Sequence, residues 1–221
     1  MTHIQTDRRR FLAWTGAAGA GVLLGACSDA GTIVAPTSAL EARKDPADAR
    51  VTVCGPNLPA ALGSNTDILK FALFIELLEA EFYKAAVGSG VLRGKVLEVS
   101  TNVRDHEICH VTYLQNALGG AACEQDITFD FSAVLRNENK FLDAAETFEQ
   151  TGVGAYLGAL PLISDKDIRS AAGTIFTIEA RHTAAFRAMN KRKDPAPVAF
   201  EVPLSAAVVR GRISPFVVEG L

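Results

Sequence analysis

The feature that most constrains this chain is a four-residue pattern that occurs twice. Glu107-Ile108-Cys109-His110 lies in RDHEICHVTYL, and Glu179-Ala180-Arg181-His182 lies in TIFTIEARHTAAF. Residues three apart on a helix share a face, so each pattern aims a carboxylate and an imidazole at one point. Two such faces in one chain need partners, because an unpaired carboxylate buried among apolar side chains is costly.

Helical periodicity carries both motifs. The sequence predicts helices over about 67–87, 94–118, 135–160 and 165–191. Thr66 or Asp67 is the expected cap of the first, and Gly88-Ser89-Gly90 its stop. Gly119-Gly120 ends the second and Pro161 the third, while Ser164-Asp165-Lys166-Asp167 reads as a capping box for the fourth. Hydrophobic residues make up 48% of the chain and aromatic residues only 7%, which favours helices over a β-sandwich. The connections run short, long, short. The long one, 120–134, contains strand-like ITFDF and is expected to be too isolated to form a sheet. The fold class expected is therefore all-α, a four-helix bundle with one long crossover and an extended, proline-punctuated C-terminal tail.

The two remaining helices supply the missing carboxylates. Glu76 lies in KFALFIELLEAEFY and Glu149 in AAETFEQTGVGAY, each near the middle of its helix. Glu76 precedes Glu107 by 31 residues, and Glu149 precedes Glu179 by 30. Tyr83 follows Glu76 by seven residues, as Tyr156 follows Glu149. The chain thus reads as two similar hairpins related by a pseudo-twofold axis. Together they bring Glu76, Glu107, His110, Glu149, Glu179 and His182 around a pair of metal ions. Four hard carboxylates with two imidazoles suit iron or manganese. Glu107 and Glu179 are expected to bridge or chelate, His110 and His182 to hold one metal each, and Glu76 and Glu149 to be terminal. Tyr83 and Tyr156 are candidates to hydrogen-bond the ligand carboxylates.

The stretches IELLEAEFYKAA, RDHEICHVTYLQNALGG, FEQTGVGAYLGALP and TIEARHTAAFRAMN resemble the ferritin-like di-metal carboxylate family, in its desiccation-related branch. The resemblance spans roughly 65–221 and implies a ferritin-like bundle with a dinuclear site. Its implied chemistry is oxidation–reduction with dioxygen, peroxide or ferrous ions in stress protection. A non-enzymatic stress or desiccation bundle is the alternative. A third reading takes His106-Glu107-Ile108-Cys109-His110 as the H-E-x-x-H of a zinc protease, but it leaves Glu76, Glu149, Glu179 and His182 without roles.

Outside the motifs, Glu79 and Glu146 lie one turn from Glu76 and Glu149 and could replace either as ligands, but are expected instead to face solvent or a neighbouring helix. Arg104 and Arg181 are expected in surface salt bridges, and Phe71, Phe74 and Phe82 in the core. Gly152 and Gly154 stand inside a helix, where each costs about 1 kcal/mol relative to alanine, so they point to a close approach or an opening. Cys54 and Cys123 fall in non-helical segments and are expected to pair, leaving Cys109 as a buried thiol.

The organisation expected is an export signal with a lipobox over 1–27, a tether and lead-in over 28–64, the bundle over 65–192 and the tail over 193–221. Arg8-Arg9-Arg10-Phe11-Leu12 resembles a twin-arginine signal, and Leu24-Gly25-Ala26-Cys27 resembles a lipobox with Cys27 as the lipidated residue. The location expected is the periplasm or cell envelope, with the membrane as a partner through that lipid. The formal charge is −3, and loss of Asp7, Arg8, Arg9 and Arg10 leaves about −5. Such a chain has no basic stripe for nucleic acid. A homo-oligomer is left open.

Overall fold

A computed structural model describes residues 49–191 and 194–221. The leader, with the arginine run and Cys27, lies outside the described residues, as does the tether up to residue 48.

The elements are β1 (Arg50–Gly55), α1 (Asn65–Gly88), α2 (Gly94–Leu118), β2 (Gln125–Asp130), α3 (Glu138–Ala159), α4 (Lys166–Met189), α5 (Ala206–Ile213) and β3 (Val217–Glu219). Helices α1 and α2 form one hairpin and α3 and α4 the other, and α1 also packs on α3. The fold is mainly helical, as a ferritin-like bundle requires. Its helix starts are fixed by side chains other than those the sequence suggested. Ser64 caps α1, accepting from the Asp67 backbone N–H at 3.1 Å. Asp165, rather than Ser164, caps α4, accepting from the N–H groups of Asp167 and Ile168. Such caps satisfy backbone donors that have no partner inside the helix. Beyond α3, Leu160–Leu162 tightens into a 3-10 turn around Pro161.

Helix α1 is buried on nearly every side, Phe71, Phe74 and Phe82 included. A small sheet explains this. The strands run in the order β1-β2-β3, all antiparallel, with Val53 opposite Ile127 and Val51 opposite Phe129. Ile127, Phe129 and Phe131 alternate with polar residues and turn inward. Phe129 packs edge-on against Phe74 and Phe131 against Phe82. The expectation that ITFDF stands alone is therefore corrected. Its partners are β1, which comes from the lead-in, and β3, which comes from the tail, and no local pattern announces strands so far apart in sequence. A disulfide joins Cys54 to Cys123 and ties β1 to the end of α2. Cys109 is only half-buried, and no described cysteine is a free thiol, which corrects the expectation there.

The tail adds α5 and β3 to its extended stretches. It crosses α3 where two glycines allow it. Leu204 donates its N–H to the Gly154 carbonyl at 2.8 Å. A Cβ at Gly158 would lie 2.1 Å from the Leu204 carbonyl oxygen, and one at Gly154 would lie 2.5 Å from the Leu204 side chain. Farther along, Arg210 donates to the carbonyls of Leu58 and Pro59, so the tail also holds the lead-in.

Gly158→Ala is expected to displace the Leu204 backbone and to cost roughly 1–3 kcal/mol, the usual range for overpacking. Chemical denaturation should show that loss, and proteolysis should cut first between 194 and 204.

Candidate metal centre

The site sits in the middle of the bundle, where all four long helices contribute. Glu76 comes from α1, Glu107 and His110 from α2, Glu149 from α3, and Glu179 and His182 from α4. The four glutamates have no exposed surface, and His182 is 5% exposed. Their ligand atoms fall into two groups, Glu76, Glu107, His110 and Glu179 in one, and Glu107, Glu149, Glu179 and His182 in the other. Within each group the atoms lie within 4.8 Å of one another, and Glu107 and Glu179 belong to both. His106 belongs to neither, so the two histidines of H-E-x-x-H do not converge on one centre.

The hydrogen bonds repeat across the pseudo-twofold axis. Tyr156 donates to Glu76 Oε1 at 2.6 Å, while Glu76 Oε2 faces His110 Nδ1 at 3.1 Å. Tyr83 donates to Glu149 Oε1, while Glu149 Oε2 faces His182 Nδ1 at 3.1 Å. Each tyrosine thus holds the glutamate of the opposite hairpin and leaves one carboxylate oxygen toward the centre. His110 Nδ1 also faces Glu107 Oε2 at 3.0 Å and Glu179 Oε1 at 3.4 Å. His182 Nδ1 faces Glu107 Oε1 at 3.0 Å. One ring nitrogen carries at most one proton and cannot satisfy three carboxylates. Neither oxygen of Glu179 accepts a hydrogen bond. Orphaned carboxylate oxygens converging with ring nitrogens fit divalent or trivalent cations.

Burial and the neighbouring charges set the protonation of the metal-free cluster. Burial lifts Glu76 to about 7, only partly offset by His110. Burial and neighbouring carboxylates push Glu79 and Glu179 well above the ordinary range. Glu107 lies below the ordinary range, because hydrogen bonds from His110 and His182 outweigh its burial. His182 is burial-disfavoured as a cation, yet Glu149 and Glu107 hold it up at about 10. Burial also opposes protonation of His110, and there too the carboxylates prevail.

Two further residues adjoin the site without belonging to either ligand group. Glu79 was expected to face solvent or a neighbouring helix, but it is 1% exposed, and neither of its oxygens has a hydrogen-bond partner. A signal existed, since Leu77, Leu78, Ala80 and Phe82 flank Glu79 and leave this stretch of helix little polar face. His106 is exposed at the surface and its Nδ1 lies 2.9 Å from His182 Nε2. That contact fixes the His182 ring so that Nδ1 points inward, the usual duty of a partner behind a metal-binding histidine. Glu146 faces α4 as expected, accepting from Arg187 and Asn190. Arg104 pairs with Asp105 near the surface, and Arg181 is exposed. Gly152 opens space at the site itself, since a Cβ there would lie 3.0 Å from Glu179 Oε2 and 3.2 Å from Glu79 Oε1.

A family model for the ferritin-like domain matches residues 64–192. The chain belongs to the ferritin-like domain family. No curated protein matches it. The matched span runs from the α1 cap to the end of α4 and contains all six candidate ligands. A ferritin-like domain whose glutamates and histidines converge in this way could hold metal.

The protonation states give a pH dependence. Glu76 binds its proton more tightly folded, at about 7, than at its ordinary 4.5, so folding loses stability as pH rises between them. His182 contributes stability that is complete below its ordinary 6.5 and is lost as pH climbs toward about 10. Burial and the nearby His182 lower the His106 value, so His106 opposes this trend, but it is one exposed group against several buried ones. Chelator-treated protein is expected to melt several degrees lower at about pH 8 than at about pH 5. Saturating metal should remove or reverse that difference, as read by circular dichroism.

Proposed function

We propose that the chain is an exported, lipid-anchored ferritin-like protein with a dinuclear iron or manganese centre. Its task in this reading is to handle peroxide, dioxygen or ferrous ions in stress protection. The observation that carries the reading is the pair of ligand groups sharing Glu107 and Glu179. Shared carboxylates are what a bridged pair of ions needs, and one histidine per group gives each ion its own nitrogen.

A bound pair of iron or manganese ions would supply electron transfer by cycling between divalent and trivalent states. The protein's part is positional and electrostatic. Glu107 and Glu179 would bridge, Glu76 with His110 would complete one half, and Glu149 with His182 the other. Tyr83 and Tyr156 orient the terminal glutamates by holding their outer oxygens. Phe82, Phe141 and Phe186 pack around Tyr83, with Phe148 behind Phe82, and keep water from that side. An apolar cavity of about 20 Å³ lies beside Tyr156, lined among others by Ile75, Ala155, Ala159 and Ile175. Export and lipidation at Cys27 rest on the arginine run and the lipobox-like stretch of the leader.

Plasma mass spectrometry on protein purified without added metal or chelator is the test. About two iron or manganese ions per chain are expected, the number a bridged pair requires, with loss of both in Glu107→Ala/Glu179→Ala. Folded wild-type protein without bound metal, even after incubation with ferrous or manganous ions, contradicts the reading.

A further inference from the structure

The two hairpins match at the six candidate ligands and the two tyrosines, and differ one turn beyond the first glutamate. Shifting the sequence by 73 residues superposes Glu76 on Glu149 and Tyr83 on Tyr156. The same shift places Gly152 opposite Glu79. On α1 the pattern is glutamate, glutamate, tyrosine; on α3 it is glutamate, glycine, tyrosine.

The structure gives this asymmetry a physical meaning. Glu79 is 1% exposed and both of its carboxylate oxygens lack a hydrogen-bond partner. Among the described residues no arginine, lysine or tyrosine donates to it, unlike Glu76 and Glu149, each of which accepts from a tyrosine. Its Oε1 lies against Gly152, and so does Oε2 of Glu179, at 3.2 and 3.0 Å from the point a Cβ would occupy. Glu179 belongs to both ligand groups. The missing side chain on α3 is therefore a niche, and the extra carboxylate from α1 shares it with an oxygen of the shared glutamate. A larger side chain at 152 would meet both oxygens at once. A carboxyl left unpartnered in a bundle core costs stability, and it serves no packing purpose that a leucine would not serve better.

Resting on the dinuclear reading above, we infer that Glu79 is a seventh protein ligand for that centre, a fifth carboxylate admitted by Gly152. It makes the pair of sites chemically unequal within a nearly symmetric frame. A fifth negative charge also favours the trivalent over the divalent state of whichever ion it reaches.

The experiment uses the full chain and manganous ion as the probe, with Glu79→Gln and, as a volume-matched apolar control, Glu79→Met. Two quantities are read, the melting temperature without metal and the manganous-ion affinity by competitive titration. A ligand that burdens the empty site predicts opposite signs. Metal-free variants should melt at the wild-type temperature or above it, while affinity for at least one ion falls roughly tenfold or more. A carboxylate that merely supports the fold predicts lower metal-free melting temperatures in both variants, and that result overturns the inference. Wild-type stoichiometry with affinity unchanged in a folded variant also overturns it, while leaving the dinuclear reading intact. Failure of the wild-type chain to bind the ion at all ends both.

Discussion

The arrangement of this molecule follows from the burial of carboxylates where four helices meet. Five glutamates, Glu76, Glu79, Glu107, Glu149 and Glu179, lie in the interior with almost no surface between them. Water cannot stabilise their charge there, and two histidines and two tyrosines are too few to do so. The tyrosines are placed crosswise, each seven residues from its own hairpin's central glutamate and bonded to the other's. The hairpins are thereby locked to each other through the very groups that are most expensive to bury. Glycine at 152 and the histidine behind His182 complete the same design, one by making space and the other by aiming a ring.

Everything outside the centre keeps it dry and fixed. Helix α1 is covered on its outer side by a three-stranded sheet whose strands come from three separate parts of the chain. The Cys54–Cys123 disulfide closes one edge of that sheet, and the tail passes over α3 through its glycines to return to β2. The lead-in and tail are thus structural cover for the bundle. A polar cluster in a low-dielectric interior is rigid only if its neighbours do not yield, and the aromatic packing around Phe82 and Tyr83 supplies that resistance.

The parts legible in the sequence were those governed by local periodicity. Helix faces spaced three residues apart put Glu107 with His110 and Glu179 with His182, and the repeat between hairpins pointed to Glu76 and Glu149. The structure brings these six together. Glu79 ranks below Glu76 in the sequence because one turn from a ligand is also where a solvent-facing residue is found, and only the coverage of α1 on all sides distinguishes the two. That coverage depends on the sheet, and the sheet depends on pairings between residues far apart in sequence, such as Arg50 with Asp130 and Thr128 with Glu219. His106 escaped for a similar reason, since its partner His182 lies 76 positions away on another helix. Caps shifted by one to three residues because several polar side chains compete for each helix start.

Anomalous diffraction recorded at the iron and manganese absorption edges, from crystals of protein purified without added metal, tests the central claim most directly. The account predicts two peaks at the centre of the bundle, roughly 3.5–4 Å apart as in other two-metal sites, with Glu107 and Glu179 between them and one histidine on each. A single peak between His106 and His110, or a folded bundle with no peak at the cluster after soaking in either metal, would contradict it.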